Sequence, residues 1–120
     1  MHLDEIREYC LRKPGTTESF PFDEVSPVYK VIGKIFCIAS IEPPFSVNLK
    51  CDPERAVDLR ERYPAVTPGW HMNKTHWNTV YLQKGLTEKQ IKELIDHSYD
   101  LIASKLKKSE KEQLRKLNKK

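Results

Sequence analysis

The run VYKVIGKIFCIASIEPPFSVNLKC, residues 28–51, decides the fold class. It is rich in β-branched and aromatic residues and is punctuated by turn chemistry at Gly33-Lys34 and by a break at Pro43-Pro44. Strands separated by such short signals form an antiparallel meander. The last run alternates, with Phe45, Val47, Leu49 and Cys51 on one side and Ser46, Asn48 and Lys50 on the other. One face of the sheet is therefore wet and the other needs a cover.

The flanks supply that cover. Leu3, Ile6 and Cys10 share one helical face, and Lys13-Pro14-Gly15 ends the helix. Asp52 followed by Pro53 opens a second, with Ala56, Leu59 and Tyr63 at helical spacing up to Pro64. Thr87 and Gln90 form a capping box for the longest helix, whose apolar face runs through Ile91, Leu94, Ile95, Ser98, Leu101, Ile102 and Leu106. Trp77–Leu82 has strand composition and ends before Gly85. The expectation is an α+β domain, an antiparallel sheet with helices packed on one face. Thr16–Pro27 reads as a turn-rich loop fastened to the core by Phe20 and Phe22, and Ala65–Gly69 as a turn.

A chain of 120 residues suits one domain, taken as residues 1–106, followed by a basic tail, 107–120, weakly helical or disordered. The charge divides along that line. From Lys107 onward seven Lys/Arg face two Glu, whereas residues 1–106 hold 14 basic and 15 acidic side chains. The net +4 thus belongs to the tail, and polyanion binding by the body requires local clustering of lysines. Cys10, Cys37 and Cys51 are odd in number, lack ligand spacing and sit among apolar neighbours, as core residues in a reducing compartment do. With no apolar run of membrane length and a charged start, the expected location is cytoplasmic. A monomer is the default.

Recognition chemistry concentrates in Gly69-Trp70-His71-Met72-Asn73-Lys74-Thr75-His76-Trp77-Asn78. His71 and His76, five apart, do not meet on one strand or helix face, and no third ligand accompanies them, so neither a metal nor a cofactor is expected. Nor do the histidines come with an evident base and orienter for catalysis. Were the helices to cover Val80 and Leu82, then Trp77 and Tyr81 would join Lys30, Asn48 and Lys50 on the open face. Aromatics interleaved with cations suit nucleic acid. The contact set is accordingly Lys30, Lys34, Asn48, Lys50, His71, Asn73, Lys74, His76 and Trp77. A protein-interaction or small-anion-binding domain using the same Trp/His/Lys surface is the alternative.

The chain also resembles the bacterial YjbR/MmcQ family. The resemblance is carried by Phe20-Pro-Phe22, Tyr29-Lys30-Val31, Gly33-Lys34-Ile35-Phe36, Leu49-Lys50-Cys51-Asp52-Pro53, Pro68-Gly69-Trp70-His71-Met72-Asn73-Lys74, His76-Trp77-Asn78-Thr79-Val80 and Ser98-Tyr99. It implies a CyaY-like α+β domain with a double-wing arrangement, for which a non-enzymatic DNA-binding role has been proposed. CyaY-like iron binders use an acidic first helix. Here Asp4, Glu5 and Glu8 are offset by Arg7, Arg12 and Lys13, which argues against iron.

Overall fold

The computed structural model describes residues 1–69 and 73–118. Helix α1 (Leu3–Leu11) leads into β1 (Thr16–Ser19), β2 (Val28–Val31), β3 (Lys34–Ser40) and β4 (Ser46–Lys50). Then come α2 (Pro53–Arg62), β5 (Val66–Pro68), β6 (Trp77–Tyr81), α3 (Glu88–Ser104) and α4 (Lys108–Asn118). The strands form one antiparallel sheet in the order β1-β2-β3-β4-β6-β5.

One face of the sheet carries the core. Tyr29, Val31, Cys37, Ala39, Val47, Leu49 and Val80 meet Ile6 and Cys10 of α1 and Ile91, Leu94, Ile95 and Tyr99 of α3. Burying such side chains contributes about 25 cal/mol per Å² of apolar surface removed from water, the main favourable term in a domain of this size. Asp52 caps α2 by accepting from the Arg55 amide at 3.3 Å, and Thr87 and Gln90 close the box that starts α3.

Two irregularities shape the sheet. At the β2–β3 turn both Ile32 and Gly33 have positive φ, the conformation whose twist matches a tight hairpin. Farther along, Tyr29 pairs with Cys37 but Lys30 pairs with Ile35, so Phe36 bulges out of register. Phe36 turns its ring inward onto Tyr99, edge to face at 5.3 Å. Ser98 of α3, fully buried, donates to the Phe36 carbonyl at 2.6 Å and accepts from the Lys50 amide at 2.9 Å. One hydroxyl thus ties α3 to two strands where the ladder is broken.

Three expectations need correction, the first being that of Ala65–Gly69: read as a turn, it contains strand β5 paired with β6. Thr16–Ser19, read as part of a loop, is a strand in full register with β2, from Thr16 opposite Val31 to Ser19 opposite Val28. Pairing with a formed neighbour prevails there over turn composition. Phe20 and Phe22 do not fasten that loop to the core, because they lie beyond the end of β1 and are 47% and 64% exposed. Of the two states expected for the tail, weakly helical or disordered, the helical one is found in α4, and Leu114 packs against Ile32 and over Gly15. Its apolar positions are few because they need only reach one small seat.

Candidate functional site

The face opposite the core is open, and cross-strand register places its residues. Lys50 stands opposite Trp77, Asn48 opposite Thr79, Ser46 opposite Tyr81, and Lys30 opposite both Thr17 and Ile35. Lys30, Asn48, Lys50 and Trp77 therefore share this face, as the alternation requires. Lys34 is exposed at the start of β3, beside the hairpin turn. Antiparallel pairing brings the start of β3, the end of β4 and the start of β6 to one end of the sheet, so Lys34, Lys50 and the turn before Trp77 lie there together.

That turn is built from its own polar groups. Asn73 is exposed, and its Oδ1 accepts from the Thr75 amide at 2.9 Å while its carbonyl accepts from the amides of His76 and Trp77. The half-buried His76 uses its carbonyl to accept from the Cys51 amide at 2.7 Å, joining the turn to the end of β4. Lys74 is exposed on the turn. His71, with Trp70 and Met72, lies outside the described residues.

The open face differs from a stacking platform in two respects. Trp77 is only 9% exposed, so little of its ring is open to a ligand. The Asn48 side chain is committed across the strands, accepting from Thr79 Oγ1 at 2.8 Å. What remains is positive charge. Among the described residues no salt bridge includes Lys30, Lys34, Lys50 or Lys105. Burial lowers the pKa of Lys50, and the Lys105 ammonium beside it lowers it further.

Three contributors were not evident in the sequence. Lys105, at the C-cap of α3, sits two turns beyond Ser98, the residue that holds Lys50. Arg60 of α2 donates from Nε to Asn78 Oδ1 at 2.6 Å and from Nη2 to the carbonyls of Lys74 and Trp77, clamping the Asn73–Trp77 turn. Its one sequence signal is a position four residues after Ala56, on the inward helix face. His97 accepts the Asp52 amide at Nε2, at 3.1 Å, so that nitrogen is unprotonated; desolvation first, then Arg55, lower its pKa from 6.5. Cys10 and Cys37 are fully buried, Cys51 nearly so, and the hydrogen bond with Cys10 first, then burial, push the Cys37 thiol up.

The α4 helix extends the basic end. With Leu114 seated at Gly15 and Ile32, the exposed Lys108, Lys111 and Arg115 fall on one stripe at three- and four-residue spacing, flanking the seat on one side. Gly15 and Ile32 adjoin the β2–β3 turn, so this stripe neighbours Lys34.

The sheet order, the α3 cover and the cationic end define a small α+β domain that presents one open, lysine-bearing face. A sequence model of the YjbR family matches residues 11–101, and the chain belongs to that family. It is 39% identical over 100 residues to YjbR of Escherichia coli K12, covering 82% of this chain and 85% of that one. It is 34% identical over 114 residues to YbdF of Escherichia coli O157:H7, covering 93% of each. Among solved structures it is similar to DR2400 of Deinococcus radiodurans, a DUF419 domain, with a TM-score of 0.86 at 36% identity over 93% of this chain and 86% of that one. A Pseudomonas syringae protein aligns with a TM-score of 0.74 at 27% identity, covering 84% of this chain and 98% of that one.

Proposed function

We propose that this protein is a non-enzymatic DNA-binding module whose contact surface is the basic end of the sheet. The observation that supports this most is the gathering of Lys34, Lys50 and Lys105 beside the cationic stripe of α4, with no carboxylate bridged to those three lysines among the described residues. Flexible lysines on rigid elements suit phosphate oxygens, which fix position without reading sequence. Lys30, Lys74 and His76 extend the surface along the open face and the Asn73–Trp77 turn, and Trp77 supports it from behind. The cytoplasm is the compartment where such a protein meets DNA.

The test is fluorescence anisotropy with single- and double-stranded DNA across a salt series, on the wild type and on Lys34→Gln, Lys50→Gln and Lys105→Gln. For duplex DNA each lost phosphate contact lowers the log–log salt slope by about 0.9. Unchanged slopes and affinities in all three variants refute the reading. A small phosphate-bearing ligand is the second reading, favoured by the approach of Lys50 and Lys105 to one another. Inorganic phosphate competing at millimolar level for these two lysines alone would single it out.

A further inference from the structure

The opposite end of the sheet has a different chemistry. Phe20, Phe22 and Val25 are 47%, 64% and 55% exposed in the β1–β2 loop, and Ile41, just past β3, is 38% exposed. The Pro27 carbonyl accepts the Ala39 amide at 3.0 Å, so the two loops leave the sheet side by side. Large apolar side chains grouped at one end are a recurrent mark of an interaction surface.

The β1–β2 loop is ordered by its own hydrogen bonds. Asp23 accepts from the amides of Val25 and Ser26 at 2.9 and 2.6 Å and from Ser26 Oγ at 2.9 Å, and those bonds keep its carboxyl ionised below the usual range. The aromatic side chains are thus displayed on a set loop, which reduces the ordering cost of binding. Residues 19–27 and 40–45 contain Asp23, Glu24 and Glu42 and no Lys or Arg. Between the β3–β4 loop and the open face of β4 and β6 runs a groove of about 320 Å³ lined by Glu42, Pro43, Pro44, Asn48, Thr79 and Tyr81. A base, Lys84, lies over the Tyr81 ring at 4.9 Å.

We infer that this apolar, acidic tip and its groove form a docking site for a basic segment of another protein, one in which lysines or arginines are flanked by apolar side chains. Charge complementarity selects the occupant. Three carboxylates border the apolar patch and no cation within the two loops neutralises them, so an acidic or neutral segment of equal hydrophobicity is disfavoured. The groove gives an extended chain the Glu42 carboxylate beside the Pro43 and Pro44 rings and the Tyr81 ring, and Phe20, Phe22 and Val25 contact its apolar residues. The site lies at the far end of the sheet from Lys34 and Lys50 and does not depend on DNA binding.

The test is ¹H–¹⁵N NMR titration with two short synthetic peptides, one of lysine and leucine spaced by glycine and the other with glutamate in place of lysine. The lysine peptide is expected to shift amides in residues 20–26 and 41–46 and to bind more weakly as salt rises. Phe22→Ser with Val25→Ser should weaken it about tenfold, the loss of an apolar anchor, while leaving the melting temperature and the DNA salt slope unchanged. Equal binding of both peptides, shifts elsewhere, or unchanged affinity in the double variant overturns the inference. So does sedimentation showing that the wild type self-associates and the double variant does not, since the tip would then be a contact between copies of this chain.

Discussion

Replacing Ser98 by Ala removes a single oxygen and orphans two backbone groups. The Phe36 carbonyl, out of register in its bulge, loses its 2.6 Å donor, and the Lys50 amide loses its 2.9 Å acceptor. Ser98 is fully buried and Leu49 beside it nearly so, which leaves little path for water to step in. A buried polar group left without its partner costs about 1–3 kcal/mol, so the pair together amounts to about 3 kcal/mol after partial relaxation. A domain of this size holds only about 5–15 kcal/mol in all. Its unfolding entropy is about 0.25 kcal/mol/K, from about 2.1 cal/mol/K per residue, so the melting temperature should fall by about 12 °C. The assay is urea and thermal denaturation followed by circular dichroism, with hydrogen exchange of the Lys50 amide as the local readout. A shift of the urea midpoint at constant slope, with faster Lys50 exchange, is the expected result. A loss below about 1 kcal/mol refutes the view that one hydroxyl closes the bulge.

Three further outcomes follow from the same structure. Arg60→Ala should cost about 2 kcal/mol, from charge-assisted bonds that leave the Asn78 amide and the Trp77 carbonyl with fewer donors; hydrogen exchange at His76 and Trp77 should quicken while α3 stays protected. Gly69→Ala places a Cβ 2.9 Å from the Trp77 Cβ and 3.0 Å from its carbonyl oxygen, and since that contact is across a strand pair it should lower stability by about 1–3 kcal/mol in a urea titration. His97 has a depressed pKa, so the unfolded chain binds its proton first as pH falls. Stability is therefore expected to decline from pH 6.5 downward until the folded histidine also protonates, and His97→Gln should flatten that part of the stability curve; an unaltered curve would show that another group titrates there.

The sheet's centre was legible because its chemistry is local. Phe45, Val47 and Leu49 alternate with Ser46, Asn48 and Lys50, and this alone assigns the two faces of β4. Thr87 and Gln90 mark the start of α3 in the same direct way. The outer strands carry no such signal. Thr16–Ser19 has no apolar residue to alternate, and β5 is three residues long and ends in Pro68, which an edge strand tolerates because its missing amide faces away from the ladder. Both are strands because a neighbour offers hydrogen bonds.

The lysines of the candidate site were visible as residue types on a predicted face, but their arrangement was not. Lys105 joins Lys50 only because Ser98 fixes how α3 crosses the bulge, a long-range fact with no counterpart in spacing. Arg60 lies in a helix full of charged surface residues, and nothing but its place relative to Ala56 separates it from them. Trp77 shows the opposite case: its face was assigned by alternation, yet its ring is buried, because alternation reports direction and not depth.

The seating of Leu114 between Gly15 and Ile32 gives the molecule a fixed polarity. A loose tail would spread its charge over a wide volume, whereas a docked α4 holds its cations at one pole while Asp23, Glu24 and Glu42 stand at the other. Such a molecule is an electric dipole as well as a weak cation. Approaching any charged surface, it turns before it touches, so productive encounters are more frequent than its net charge of +4 alone would produce. Adding salt shortens the reach of that torque to about a Debye length and makes each encounter closer to random in orientation.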